Sequence, residues 1–206
     1  MAVNVNNAYV GTPPIDGGVY FNAPQGTTLP TSATEALDPA FVDHGAVDEN
    51  GITVTPNRTS TTEKMFGGGD FIDIQTEYGE EVQITFMEDD NDAVIASSFG
   101  DANVDVTDAT TTDGKQRTIY HTKEQLPIKS HVIKTVSGSK AKTYVVPLGR
   151  VSTVEKTPDV HSASTKTTLT IKTFEAQIDN RPVYVVEYRD DGTPVIEGGG
   201  EGGDEG

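Results

Sequence analysis

Between residues 71 and 87 the chain alternates apolar and polar side chains, and this alternation constrains the fold more than any other feature. In FIDIQTEY, Ile72, Ile74 and Thr76 fall on one side of an extended strand, and Asp73, Gln75 and Glu77 on the other. In EVQITFM, Val82, Ile84 and Phe86 share one side, and Glu81, Gln83 and Thr85 the other. A period of two means a strand with one buried face. With a turn at Tyr78-Gly79, the two segments predict an antiparallel hairpin with one apolar face and one polar, acidic face. The acidity is the odd part. The window 77–92 holds seven acidic residues (Glu77, Glu80, Glu81, Glu88, Asp89, Asp90 and Asp92) and no basic one.

Most of the remaining chain reads as strand too. QRTIYHT (116–122), KSHVIKTVS (129–137), AKTYVVPLG (141–149), RVSTVEKT (150–157), TTLTIKTFEA (167–176) and PVYVVEYR (182–189) are candidate strands, with SGSK (137–140) as a hairpin turn. GAVDENGITVT (45–55) predicts two short strands about a Glu-Asn-Gly turn, since Asn-Gly favours positive φ. Residues 56–70 are polar and then Gly-rich, which predicts a long loop or a projecting hairpin. Helix signals are few. TSATEALDPAFVDHG (31–45) offers one turn, with Thr31 or Ser32 as cap, Glu35 reaching back and Pro39 limiting it. DDNDAVIASSFG (89–100) predicts a short helix with Asp or Asn at its start and Gly100 at its end. Its acids sit at the N-terminus, where the helix dipole favours them. The expected organisation is an extended arm over 1–30 with a short strand, a β-domain over 31–190, and a disordered, acidic, Gly-rich tail over 191–206.

Charge narrows the function. The 206 residues carry a net charge of −17, which argues against gripping nucleic acid, a task that needs Lys and Arg. Residues 1–113 hold twenty acids against Arg58 and Lys64. Residues 114–189 hold thirteen bases against six acids, and 190–206 add six acids. This polarity suits copies that meet acidic patch to basic patch, or is merely chance combined with solubility. There is no cysteine, hence no disulfide or thiolate chemistry. The start, MAVNVNNAYVGTPP, lacks a basic then apolar pattern, so no signal peptide is expected. No apolar run is long enough to predict a membrane span, and synthesis in a cytoplasm is the default expectation.

No catalytic motif emerges. G-x-x-x-x-G-K-[ST], G-x-S-x-G and H-E-x-x-H are all absent. His44, His121, His131 and His161 lack ligand-like spacing and read as surface or strand residues. EDDND (88–92) invites a calcium reading but lacks the glycine of an EF-hand loop, and an acidic helix N-terminus explains it. No enzyme, cofactor or metal is expected. An acid-using hydrolase has only abundant carboxylates behind it.

The order of the segments resembles the major tail proteins (tail tube proteins) of long non-contractile-tailed bacteriophages, especially those of actinobacterial hosts. GGVYFNAPQGTTLPTSATEALDPAFVDHGAVDENGIT (17–53), TSTTEKMFGGGDFIDIQTEY, EVQITFMEDDNDAVIASSFGDANV and the β-rich second half carry the resemblance, over about residues 17–190. It implies a β-sandwich or small barrel with one short flanking helix, in a virion structural protein assembled in the host cytoplasm. It implies hexameric rings stacked into a tube, tape-measure and tail-tip proteins as partners, DNA passing through without specific binding, and no membrane. On this resemblance Asp73, Gln75, Glu77, Glu81, Gln83 and Thr85 line the lumen, where acidity repels phosphates, or else meet solvent outside the ring. Arg58, Lys64 and Phe66 belong to the segment expected to reach the next ring. The alternative is a virion-surface or adhesin-like β-domain binding a host component, for which Tyr184 and Tyr188 are the available aromatics.

Overall fold

Alternating segments become strands, and adjacent strands pair in antiparallel fashion throughout the computed structural model, which describes residues 3–14 and 18–194. The elements are β1 (Tyr20–Pro24), β2 (Val42–Asp43), β3 (Val47–Lys64), β4 (Asp70–Phe86), α1 (Asp92–Phe99), β5 (Val104–Thr107), β6 (Gln116–Ile119), β7 (Lys129–Ser137), β8 (Lys140–Lys156), β9 (Thr167–Thr173), β10 (Ala176–Ile178), β11 (Arg181–Val183) and β12 (Val186–Asp190). The main sheet runs β2-β1-β7-β8-β9-β4-β3, with β12 also on β8.

Strand β8 makes this one sheet into two layers. Its first part, Ala141–Val145, pairs with β7 on one side and β12 on the other. Its second part, Gly149–Lys156, pairs with β9. Between them lies Pro147, which has no N–H for a ladder, and the register with β7 shifts between Lys129 and His131. A strand that changes partners at a bend is how a sheet turns a corner. The layers close on a shared core: Tyr20, Ile133 and Val146 from one, Val82, Ile84, Phe86, Leu169 and Ile171 from the other, with Val94 of α1 packed among them. The result is mainly β and sandwich-like with one short helix, not closed into a barrel.

Several expected boundaries move. No turn forms at Tyr78-Gly79. FIDIQTEY and EVQITFM are one strand, and Gly79 sits in its ladder opposite Asn57. The partner that permits this is β3, which runs unbroken through 56–64, so the projecting-hairpin alternative is the one realised. Asn50-Gly51 makes a bulge in β3 rather than a turn, with Gly51 at φ +70° and the register shifting between Val47 and Ile52. AKTYVVPLG and RVSTVEKT merge into β8. PVYVVEYR divides into β11 and β12. Asp179 and Asn180, at φ 50° and 59°, form the tight turn that pairs β10 with β11. Residues 31–45 form no helical turn, although Glu35 does accept from the Thr31 backbone N–H and hydroxyl. The helix expected within 89–100 is α1, with Asn91 as N-cap and Gly100 at its end. Ser137 and Lys140 close the β7–β8 hairpin as expected.

The amino-terminal segment docks in part on the body of the same chain. Thr12 exchanges backbone hydrogen bonds with Val136, Tyr9 bonds the Thr135 hydroxyl at 2.8 Å, and Lys142 lies over the Tyr9 ring. β1 is a core strand of the sheet. The acidic tail expected at 191–206 lies outside the described residues from 195 onward.

Candidate functional site

Strand β9 pairs with β4 only over Glu81–Phe86. Beyond Glu81 the β3–β4 pair continues without a third strand. Eleven residues of β4 at about 3.4 Å each carry it roughly 37 Å away from the sheet. At the tip, Met65 N–H bonds Gly69 O at 2.7 Å and Gly68 N–H bonds Met65 O at 3.0 Å. Gly67 and Gly68 adopt φ of +101° and +90°, which only glycine takes without strain. Lys64 pairs with Asp70 at 3.0 Å across the neck of this turn. The arm is exposed on both faces and carries large apolar side chains in water: Phe66 is fully exposed, Phe71 is 70 % exposed, and Met65, Ile72 and Ile74 are also open. At its base Arg58 stacks over Tyr78, and Tyr78 meets Tyr184 edge-on at 5.0 Å. Tyr184 therefore anchors the arm and Tyr188 packs against the second core cluster, so neither forms an exposed aromatic patch.

The polar face expected on this arm is not one face. Thr59 pairs with Glu77, but Ser60 pairs with Gln75, so Thr76 is an extra residue on β4. Such a bulge reverses which side each later residue occupies. Gln75 consequently lies with Tyr78 and Arg58, and Arg58 Nη1 donates to Gln75 Oε1 at 3.2 Å. Asp73 follows on that side and accepts from the Thr62 hydroxyl at 3.2 Å. Glu77, Glu81, Gln83 and Thr85 remain together on the other side. Ile74 and Ile72, expected on the core side with Val82, are carried onto the Glu77 side, opposite Thr61 and Glu63.

Nearer the body, Glu81, Gln83 and Thr85 stand opposite Lys172, Thr170 and Thr168 of β9, with Thr53 and Thr55 of β3 on the other flank. This outer sheet face is rich in threonine and mixes Glu81 with Lys172 and Arg150. The concentrated acidity read from the sequence does not gather there.

It gathers at the entrance to α1, where Asp89 and Asp92 pair with bases. Asn91 Oδ1 caps the Ala93 N–H at 2.9 Å, and Glu88 accepts from the Ala46 N–H and the Asn91 amide. Asp92 meets Lys115 and Arg117, which hold its carboxyl below the usual range. Burial would raise the Asp89 carboxyl, but Lys156 and Thr167 bring it down. Among the described residues no group of three His, Cys, Asp or Glu is placed to hold a metal ion.

Two histidines read as surface or strand residues are core groups. His44 Nδ1 faces the Val42 carbonyl at 2.9 Å, an acceptor, so Nδ1 carries the proton. Nε2 then accepts from Ser97 Oγ–H at 2.8 Å, and Asn22 donates to Ser97 Oγ at 2.8 Å. Tyr20 O–H faces His131 Nδ1 at 2.7 Å. Burial pushes both imidazoles down to about 4 and the Tyr20 phenol well up. His131 lies in HVI, a run without alternation, because β7 is buried on both faces there.

Neither a protein-family model nor a curated protein matches the sequence. Among solved structures, the chain is similar to one from the cryo-EM structure of an extracellular contractile injection system, the PVC sheath-tube complex in its extended state. The TM-score is 0.38 and the identity 7 %, over 89 % of this chain and 94 % of that one.

Proposed function

We propose that this protein is a structural subunit of a phage tail tube, not an enzyme, and that it assembles into stacked rings forming a conduit for DNA. The β3–β4 arm carries this reading. A two-stranded ribbon wet on both faces is marginal alone, and exposed apolar side chains along it favour burial against something else. In an assembly of identical chains, that something is the neighbouring subunit. The collinear resemblance to tail tube proteins points the same way. Arg58, Lys64 and Phe66 then belong to the connector between rings. The part of this face around Gln83 and Thr85, with Thr168 and Thr170, away from the Arg150–Lys172 end, faces the conduit. Its polar surface offers no row of bases for phosphates to grip. Hexameric rings, tape-measure and tail-tip partners, a virion location and assembly in the host cytoplasm complete the reading.

Gln83→Lys with Thr170→Lys tests the conduit face. The double variant should still assemble, yet phage carrying it should eject DNA at least ten-fold less efficiently. Normal ejection from such tubes would put this face outside the conduit.

A further inference from the structure

Arg150 of β8 stands directly opposite Lys172 of β9. Like charges in that position repel. Neither side chain forms an ion pair among the described residues, and Glu81, across from Lys172 on its other flank, does not close on it. Arg150 Nε is buried without a hydrogen-bond partner, while the guanidinium packs 5.4 Å from the Phe174 ring. A buried, unpaired N–H of a cation is costly. Both cations border a cleft of about 440 Å³ whose walls include Phe99, His121, Leu126 and Phe174. The one carboxylate of that lining, Glu124, forms no ion pair with either base among the described residues, so the two bases remain open to an anion from outside the chain. A carboxylate suits a guanidinium fork best.

The arm supplies the complementary surface. Across the bulge, one face carries Glu77 and then Ile74, Glu63 and Ile72, and neither glutamate has an ion-pair partner among the described residues. Isoleucines beside acids suit aromatic and aliphatic walls beside a pair of bases. The arm of the same chain continues past Glu81 as the β3–β4 ladder, which carries its own Glu63 and Glu77 outward from the sheet.

We infer that the Arg150–Lys172 cleft is a carboxylate socket that receives the Glu63–Glu77 face of the arm of a second copy, with Ile72 and Ile74 against its apolar walls. This rests on the assembly reading and names the contact that makes it.

Charge reversal on each side, and then on both, tests the pairing in the full chain by sedimentation. Arg150→Glu with Lys172→Glu should raise the concentration needed for assembly at least ten-fold, and so should Glu63→Lys with Glu77→Lys. The chain with all four reversals should regain most of the loss. Because Arg150 is partly buried, Lys172→Glu alone, at an exposed site, provides a second basic-side variant, and thermal melting shows that each dispersed variant folds. Assembling wild type beside unaffected reversals overturns the socket alone, and losses that the fourfold variant does not restore overturn the pairing. A wild type that stays monomeric overturns both the pairing and the assembly reading. Succinate binding that shifts the Arg150 Nε–H resonance while assembly is unchanged would give the cleft to a small molecule and overturn the arm as occupant.

Discussion

At the scale of single residues, the core is organised around neutral histidines. His44 and His131 hold their folded-state values near 4 against an ordinary 6.5, because burial disfavours the imidazolium. The unfolded chain therefore takes up protons first as pH falls below 6.5, and stability declines toward pH 4, where the loss is complete. Each histidine accounts for about 3 kcal/mol of that decline. The carboxylates held low by their partners, Asp89 and Asp92 among them, contribute stability above the unfolded carboxylate range and lose it only at lower pH. Urea midpoints of the dispersed protein should fall steadily between pH 7 and 4.5, and a flat profile would contradict a neutral, buried pair. Asn91→Ala should lower stability by about 1 kcal/mol in the same assay by uncapping α1, an effect that Asn91→Asp should spare. The cap was legible in the sequence because capping is local chemistry. The histidine network was not, because Asn22, His44 and Ser97 come from three distant segments and only the closed sandwich brings them together.

At the scale of elements, the arm and the sandwich are separable. The core residues of β4 begin at Val82, and nothing in the arm beyond Tyr78 packs on them. Replacing residues 58–78 by Asn-Gly should leave the thermal midpoint of the dispersed subunit within a few degrees of wild type while abolishing association. A collapse of the fold would show that the arm is part of the core. Amide exchange in the dispersed subunit should be fast over 70–77 and slow over 82–86, and equal protection along β4 would contradict a marginal ribbon. Strand character throughout this region was legible from its period of two. The register was not. Tyr78-Gly79 reads as a turn only while its partner is unknown, and once β3 supplies a long partner, Gly79 fits the ladder as well as any residue. The bulge at Thr76 leaves no mark in the pattern at all. It is visible only where Ser60 meets Gln75, and it decides which side Ile72, Ile74, Asp73 and Gln75 occupy.

At the scale of the whole molecule, the charge polarity of the sequence is partly consumed within the fold. Bases of the second half pair with acids of the first: Lys115 and Arg117 with Asp92, Lys129 with Asp101, Lys156 with Asp89, and Lys166 with Asp48. Among the described residues, the charges left without an ion pair include Glu63 and Glu77 on the arm and Arg150 and Lys172 in the cleft. Association of such surfaces should weaken as salt rises from 0.05 to 0.5 M, as exposed charges are screened. The central claim is that the subunit builds tubes through its projecting arm. Negative-stain electron microscopy of the purified wild-type protein beside the arm-shortened protein tests this most directly. The account predicts rings and stacked tubes for the wild type and dispersed particles for the shortened chain. Wild-type particles that remain single subunits at high concentration, or tubes that form equally well without the arm, would contradict it.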